Sequence, residues 1–424
     1  MAGRRGGFAS TVDTLPSVSV SAPATAAPDA PGWSGRRVAL AIVALAVGAF
    51  AIGTTEFVTM GLLPDIAAGI GVDVPTGGHL ISAYALGVVV GAPVFAALGA
   101  SLPRRPLVLG LMTLFVLGNG FTALAPGYGT LLLARFVAGL PHGAYFGVAS
   151  LIAASLVRPE VRGRAVSSVM LGLAVANVVG VPAATWLGQG LGWRSAYWAV
   201  VSIGLLTLVC VLAVVPRVAA RTEATIRSEL GALRRPQVLL TLLAGVVGFG
   251  GMFALYSYIA PLVTDVAGAS AGFVPVVLLV FGAGMLVGTA LGGRLADRAL
   301  FPSLLGGVVA MGLVLALVPL AAHSAWTLTP VVFAEAATSS VLVVCLQLRL
   351  MEVAGQAQML GAALNHSALN LANALGAWLG GLVIAAGAGY TAPSLVGAGL
   401  AVLGLLVLSA SAVLRRGQVA DPNG

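Results

Sequence analysis

Apolar residues run in long blocks along nearly the whole chain, and polar residues gather in short gaps between them. Each block reaches about 18 residues or more, enough to cross a ~30 Å hydrocarbon layer as a helix. Period-two alternation, the mark of barrel strands, is absent, so helices are the reading. The blocks predict twelve spans at 38–63, 77–99, 107–125, 130–157, 165–189, 195–216, 238–263, 272–293, 304–322, 327–349, 360–385 and 392–414. The fold class expected is therefore an all-α polytopic membrane protein.

Composition sharpens this picture. The chain is 59% hydrophobic and 8% charged, with a mean hydropathy of +1.05, whereas soluble domains carry roughly 25% charged residues. A net charge of +8 would suit a nucleic-acid partner, but its distribution argues for the bilayer instead. Lys is absent, and the Arg residues concentrate in the two tails and in the loops after spans 2, 4, 6, 8 and 10. That one-sided bias predicts both termini on the cytoplasmic side. The two Cys, Cys210 and Cys345, fall inside separate spans and form neither a disulfide framework nor a metal motif. No cofactor is called for, and a monomer is expected.

The gaps also divide the chain. Residues 1–35 form an Ala/Ser/Pro/Gly-rich tail expected to be disordered. No small-residue cleavage site ends a short apolar core, so span 1 reads as a retained anchor. The polar segment 216–237 separates a six-span half, 36–215, from a second, 238–415, and 416–424 closes the chain. Traces of duplication cross that linker: ANVVG with Asn177 and Gly180 recurs as ANALG with Asn373 and Gly376, both 196 residues on (373 − 177; 376 − 180). LLPDIAAG with Asp65 recurs more loosely as LVTDVAGA with Asp265, 200 residues on (265 − 65). Two parallel six-helix repeats fit a transporter with its substrate site between the halves at mid-depth.

Short motifs carry a resemblance. GGRLADR after span 8, with Gly293, Asp297 and Arg298, resembles the loop signature of the major facilitator superfamily. The corresponding loop after span 2 keeps Arg104 and Arg105 but has Ala100 where the acid would fall. Span 4, with Arg135 and Gly139, resembles the superfamily's R-x-x-x-G motif. Span 5, with Gly172, Gly180, Pro182 and Gly188, resembles the Gly/Pro-rich antiporter motif of its exporters. Over roughly 36–415 the chain is similar to the twelve-span drug/proton antiporters, in particular the arabinose-efflux-like and chloramphenicol-resistance-like transporters. The resemblance implies a gating role for the loop residues, a cavity lined by spans 1 and 4, and export of a small organic compound by alternating access in exchange for protons.

Glu56, Arg135 and Glu335 are the charged residues placed well inside the spans, where an ionisable group costs a few kcal/mol and usually serves function. Glu56 either carries protons or braces Arg135. It lies about 7 residues, ~10 Å, from the outer end of span 1, and Arg135 about 5 residues, ~8 Å, from that of span 4, so the two are at pairing depth. The position 200 residues beyond Glu56 is Tyr256 (256 − 56), so the acid belongs to one half alone. Glu335 binds a cationic substrate, carries a second proton or bonds its own neighbours. Thr55, Thr59, His142, Tyr145, Asn177, Tyr256, Tyr258, His366, Asn370 and Asn373 are candidates for lining the cavity; the alternative is that such polar groups bond neighbouring helices. The rivals to drug export are a sugar exporter or uptake permease and, in another class, a membrane receptor or enzyme. The sequence holds no Walker-type loop, HExxH or G-x-S-x-G motif for ATP-driven or hydrolytic chemistry.

Overall fold

The computed structural model describes residues 2–3, 34–99, 102–158, 161–216, 235–354 and 358–420. Most of the first tail, Ala100 and residues 217–234 of the linker lie outside the described residues, as do the disorder and loop expectations that fall on them.

Among the described residues, eleven helices are long and apolar enough to cross a membrane. One of them, Ala271–Ala321, has 51 residues, or roughly 77 Å at 1.5 Å per residue. It leaves helical geometry at Ala299, with φ −161° and ψ 85°, so it is two crossings joined by a bend, and the total is twelve. Several helices begin two or three residues before the apolar blocks, as with Arg104–Leu124 and Arg162–Val175. An arginine at a span end keeps its backbone helical while its charge reaches the headgroups.

The crossings form two six-helix repeats, and twelve crossings put both termini at one face, here called the near face. The repeats share a packing device that the ANVVG/ANALG comparison does not reveal. On span 2 Gly87 and Gly91 lie directly under the carbonyls of Phe136 and Leu140 of span 4. On span 8 Gly284 and Gly288 lie under those of Phe333 and Ala337 of span 10. GVVVG and GMLVG are thus the same small-xxx-small contact, offset by 197 residues (284 − 87).

The repeats also depart from each other. Span 5 contains a π-helical turn at Ala176–Gly180, whereas ANALG lies inside the α-helix Gln358–Ala385. Pro182 follows ANVVG, and its ring cannot sit beside the carbonyl four residues back. The extra residue of the π turn relieves that clash. In span 11 the equivalent position is Trp378, which keeps its N–H.

The halves meet mostly near the far face, opposite the termini. Phe57 of span 1 makes an edge contact with Tyr256 of span 7 at 5.7 Å. Tyr258 occupies a slot between Gly78 and Gly381, one glycine from each half. Two hydrogen bonds among the described residues cross the seam, Ser82 Oγ to the Ala374 carbonyl (3.0 Å) and Gln189 Nε2 to the Ala271 carbonyl (2.9 Å). Outward-facing Trp186, Leu191, Leu320 and Trp326 are each at least 70% exposed, which suits a lipid-facing surface and no aqueous one.

Candidate functional site

Span 1 is buried on every side from Ala51 to Gly61, so its polar residues face other helices. Arg135, on span 4, is fully buried. Its Nη1 donates to Thr55 Oγ1 and its Nη2 to the Thr55 carbonyl, both at 3.2 Å. The guanidinium lies over the Tyr84 ring at 4.3 Å and the Tyr197 ring at 5.6 Å. Thr55 Oγ1 in turn donates to Asn119 Oδ1 of span 3 at 2.5 Å, and Thr59 shares a 2.7 Å hydrogen bond with the Tyr197 hydroxyl.

Glu56 has no hydrogen bond or ion pair among the described residues; the one ion pair found there is Arg349–Glu352. Of the two readings of Glu56, the brace to Arg135 is absent among the described residues, and Thr55 takes that place. Depth along a helix fixes height and leaves rotation open. Consecutive residues are turned by about 100°, so when Thr55 faces spans 3 and 4, Glu56 is swung aside. It remains within electrostatic range of Arg135, Tyr84 and Tyr256.

Tyr256 is the meeting point of the two halves. Its ring stacks obliquely on Phe281 of span 8 at 4.1 Å and touches Phe57. Both Glu56 and Glu335 act on it electrostatically. Glu335 is fully buried, and neither of its oxygens has a hydrogen-bond partner.

The remaining candidates divide by what their polar atoms do. Tyr145 and Tyr258 spend their hydroxyls on the carbonyls of Leu45 (2.9 Å) and Ala377 (2.7 Å) and hold helices together. His142 begins a new helical segment after the break at Leu140–Pro141, and its Nδ1 bonds the Tyr84 hydroxyl at 3.0 Å. Its ring lies against Phe146 at 5.3 Å, and Phe146 stacks on His366 of span 11 at 6.5 Å. Asn177 and Asn370 each give Nδ2 to a carbonyl four residues back and leave Oδ1 without a partner. Both amide atoms of Asn373 are unpartnered.

Gly172, Gly180 and Gly188 of span 5 sit against Ala46, Thr54 and Leu62, with Pro182 buried among them. The span-5 motif thus forms a close contact with span 1. In the loop signatures, Arg104 Nη1 donates to the Leu151 carbonyl (3.3 Å) and Arg105 to that of Leu212. A Cβ added at Gly293 would meet nothing within 4 Å, and Asp297 and Arg298 are exposed. At the far face Asp73 accepts the Thr76 N–H at 2.9 Å, and these Thr76 hydrogen bonds hold its carboxyl below the usual aspartate value.

Two features escape a reading by sequence. Asn365 is buried with both amide atoms unpartnered, one residue off the stripe formed by His366, Asn370 and Asn373. Arg349 is 3% exposed, bonded to Glu352 (2.8 Å) and Gln237 (3.1 Å), with Ser411 completing the cluster. Its position at a span end makes it look like one more loop arginine; Glu352 three residues on was the available signal. No group of three metal-ligating side chains occurs among the described residues.

Known proteins agree with this architecture. A family model described as Major Facilitator Superfamily matches residues 45–364. Inner membrane transport protein YdhP of Escherichia coli K12 is 43% identical over 88% of this chain and 95% of its own length. A Chloramphenicol resistance protein of Streptomyces lividans is 38% identical, covering 84% and 91%. The Putative transporter AraJ of Escherichia coli K12 is 32% identical, covering 90% and 97%. Among solved structures, the D-xylose-proton symporter superposes with a TM-score of 0.68 at 17% identity over 88% of this chain and 97% of its own. An inward-facing, unoccupied bacterial homologue of the lysosomal transporter Spinster gives 0.65 at 15%, over 90% and 96%; both show the fold alone. With its twelve crossings in two repeats, the chain belongs to the major facilitator superfamily, as a multi-pass membrane transporter of a small organic substrate.

Proposed function

We propose that this transporter exports its substrate across the cytoplasmic membrane in exchange for protons, by alternating access between the two halves, with Glu56 as the proton-binding group. One observation carries the reading: Glu56 is a buried carboxyl with no hydrogen-bond partner among the described residues, beside an arginine whose Nη1 and Nη2 both donate to Thr55, only its Nε being left unpartnered. A brace would spend its oxygens on the guanidinium, whereas a carrier keeps them free. Arg135, close by and fixed, favours loss of the proton once water reaches the site, and closure of the cavity favours its return. The arginine bias supports a cytoplasmic near face.

The substrate class is read from the relative in Streptomyces lividans: a chloramphenicol-type molecule, apolar in its body and rich in hydrogen-bonding groups. The unpartnered amides of Asn177, Asn370 and Asn373 and the aromatic faces of Phe57, Tyr256 and Phe281 suit such a compound. One proton falling through about 100 mV yields ~2.3 kcal/mol, enough for a roughly 50-fold gradient of an uncharged substrate.

Everted membrane vesicles energised by respiration should accumulate chloramphenicol, and an uncoupler should abolish that accumulation. Glu56→Gln should fold normally, lose uphill accumulation, and retain exchange of labelled for unlabelled chloramphenicol. Intact uphill accumulation in a folded Glu56→Gln variant would remove Glu56 from the mechanism.

A further inference from the structure

We propose that Glu335 is a second proton-carrying group, so that each half contributes one buried carboxyl to the transport cycle. This deepens the proton-coupled reading above and rests on it. The sequence leaves three roles open for Glu335, and the geometry removes the one in which it bonds its own neighbours. A structural role would show as hydrogen bonds to neighbours, yet both oxygens are unpartnered in a fully buried side chain. The hydroxyls beside it are committed elsewhere: Thr338 Oγ1 donates to the Ala334 and Glu335 carbonyls at 2.9 and 3.0 Å, and Ser339 Oγ to that of Ala336 at 3.1 Å.

A permanently charged role fares no better. An ionised carboxylate buried without donors is strongly disfavoured and neutralises instead. The groups facing Glu335 offer no compensating cation. Span 7 presents Tyr256, and beyond it span 1 presents Glu56, a second acid. Span 8 presents the Gly284–Gly288 face and Phe281; its Arg294, Asp297 and Arg298 lie at the near face. Span 11 carries His366, stacked on Phe146. On span 10 itself Cys345 and Arg349 follow ten and fourteen residues on (345 − 335; 349 − 335), about 15 and 21 Å along the axis, and Arg349 is bound to Glu352 and Gln237.

Glu335 is therefore held as the neutral acid while its site excludes water. When the cavity admits water, the carboxyl O–H bond breaks, the electron pair stays on the carboxylate and the proton leaves to solvent; the reverse step reloads it from the other face. Tyr256, which packs on Phe57 of one half and Phe281 of the other, is within electrostatic range of both acids.

The test needs no substrate, because the proton is the probe. The full-length protein in lipid bilayers is titrated from mildly acidic to alkaline pH while infrared absorption follows the C=O stretch of protonated buried carboxyls, with D₂O exchange to identify it. The wild type should show two glutamic-acid signals that bleach with rising pH, Glu335→Gln should lose one of them, and Glu56→Gln the other. If the Glu335→Gln spectrum matches that of the wild type, or if the Glu335 signal never bleaches, the proposal is overturned. Should Glu335→Gln not fold, Glu56→Gln still decides: one bleaching signal must survive in it. A signal absent from Glu335→Gln with none lost in Glu56→Gln would sink the Glu56 assignment and leave Glu335 standing.

Discussion

Removing the Thr55 hydroxyl isolates what holds Arg135 in place. Thr55→Val keeps the shape of the side chain and deletes one oxygen that accepts from Arg135 Nη1 and donates to Asn119 Oδ1. The cation loses one of its two hydrogen bonds, and Asn119 Oδ1 is left buried and unpaired, since its Nδ2 serves the Phe115 carbonyl. A hydrogen bond to a charged group contributes about 1.5–3 kcal/mol, and an orphaned buried acceptor costs about 1–3 kcal/mol. Thr55→Val should therefore destabilise the protein by roughly 3 kcal/mol. Glu56→Gln, one residue along, breaks no hydrogen bond found among the described residues and should cost less than about 1 kcal/mol. Reversible denaturant unfolding in mixed micelles compares the two variants with the wild type. A cycle adding Asn119→Ala should show coupling of about 1 kcal/mol or more between positions 55 and 119. If Thr55→Val proves as stable as the wild type while Glu56→Gln is severely destabilised, Glu56 is the true partner of Arg135 and the argument for a free carboxyl fails.

Two further outcomes follow from packing and capping. Gly87→Ala and Gly284→Ala each place a methyl group against a backbone carbonyl of the paired helix; each should cost about 1–3 kcal/mol by overpacking, read as a lowered thermal midpoint, while Gly110→Ala, which meets nothing within 4 Å, should not. Asp73 stabilises the start of span 2 as a carboxylate with its acidity increased by Thr76; a depressed acid contributes stability above its unfolded value and loses it as pH falls through the folded one. Hydrogen exchange at the Thr76 amide should thus accelerate only below the ordinary value of 3.8, and Asp73→Asn, which caps without a charge, should abolish that step.

The spans were readable because a bilayer demands long apolar runs, whatever faces them. The close packing of GVVVG and GMLVG was also present as a repeated pattern, though it is easily lost among 57 glycines. Rotation was not readable. In a helix apolar all round, no periodic stripe says which way Glu56 points, so depth alone brought Glu56 to Arg135, whose hydrogen-bond partner is Thr55. The π turn could not be foreseen from ANVVG, since ANALG is nearly the same and stays α-helical. The difference lies in Pro182, two residues beyond the pattern. Arg349 was hidden by its place at a span end, where arginines normally report topology.

The seam at the far face has a thermal consequence. Tyr258 keeps its bond to the Ala377 carbonyl within its own half, so withdrawing the ring from Gly78 orphans no polar atom. With two hydrogen bonds crossing the described seam, opening that face to water is chiefly the wetting of apolar surface. Such wetting raises heat capacity and becomes less unfavourable on cooling. Parting of that seam should therefore be favoured by cold.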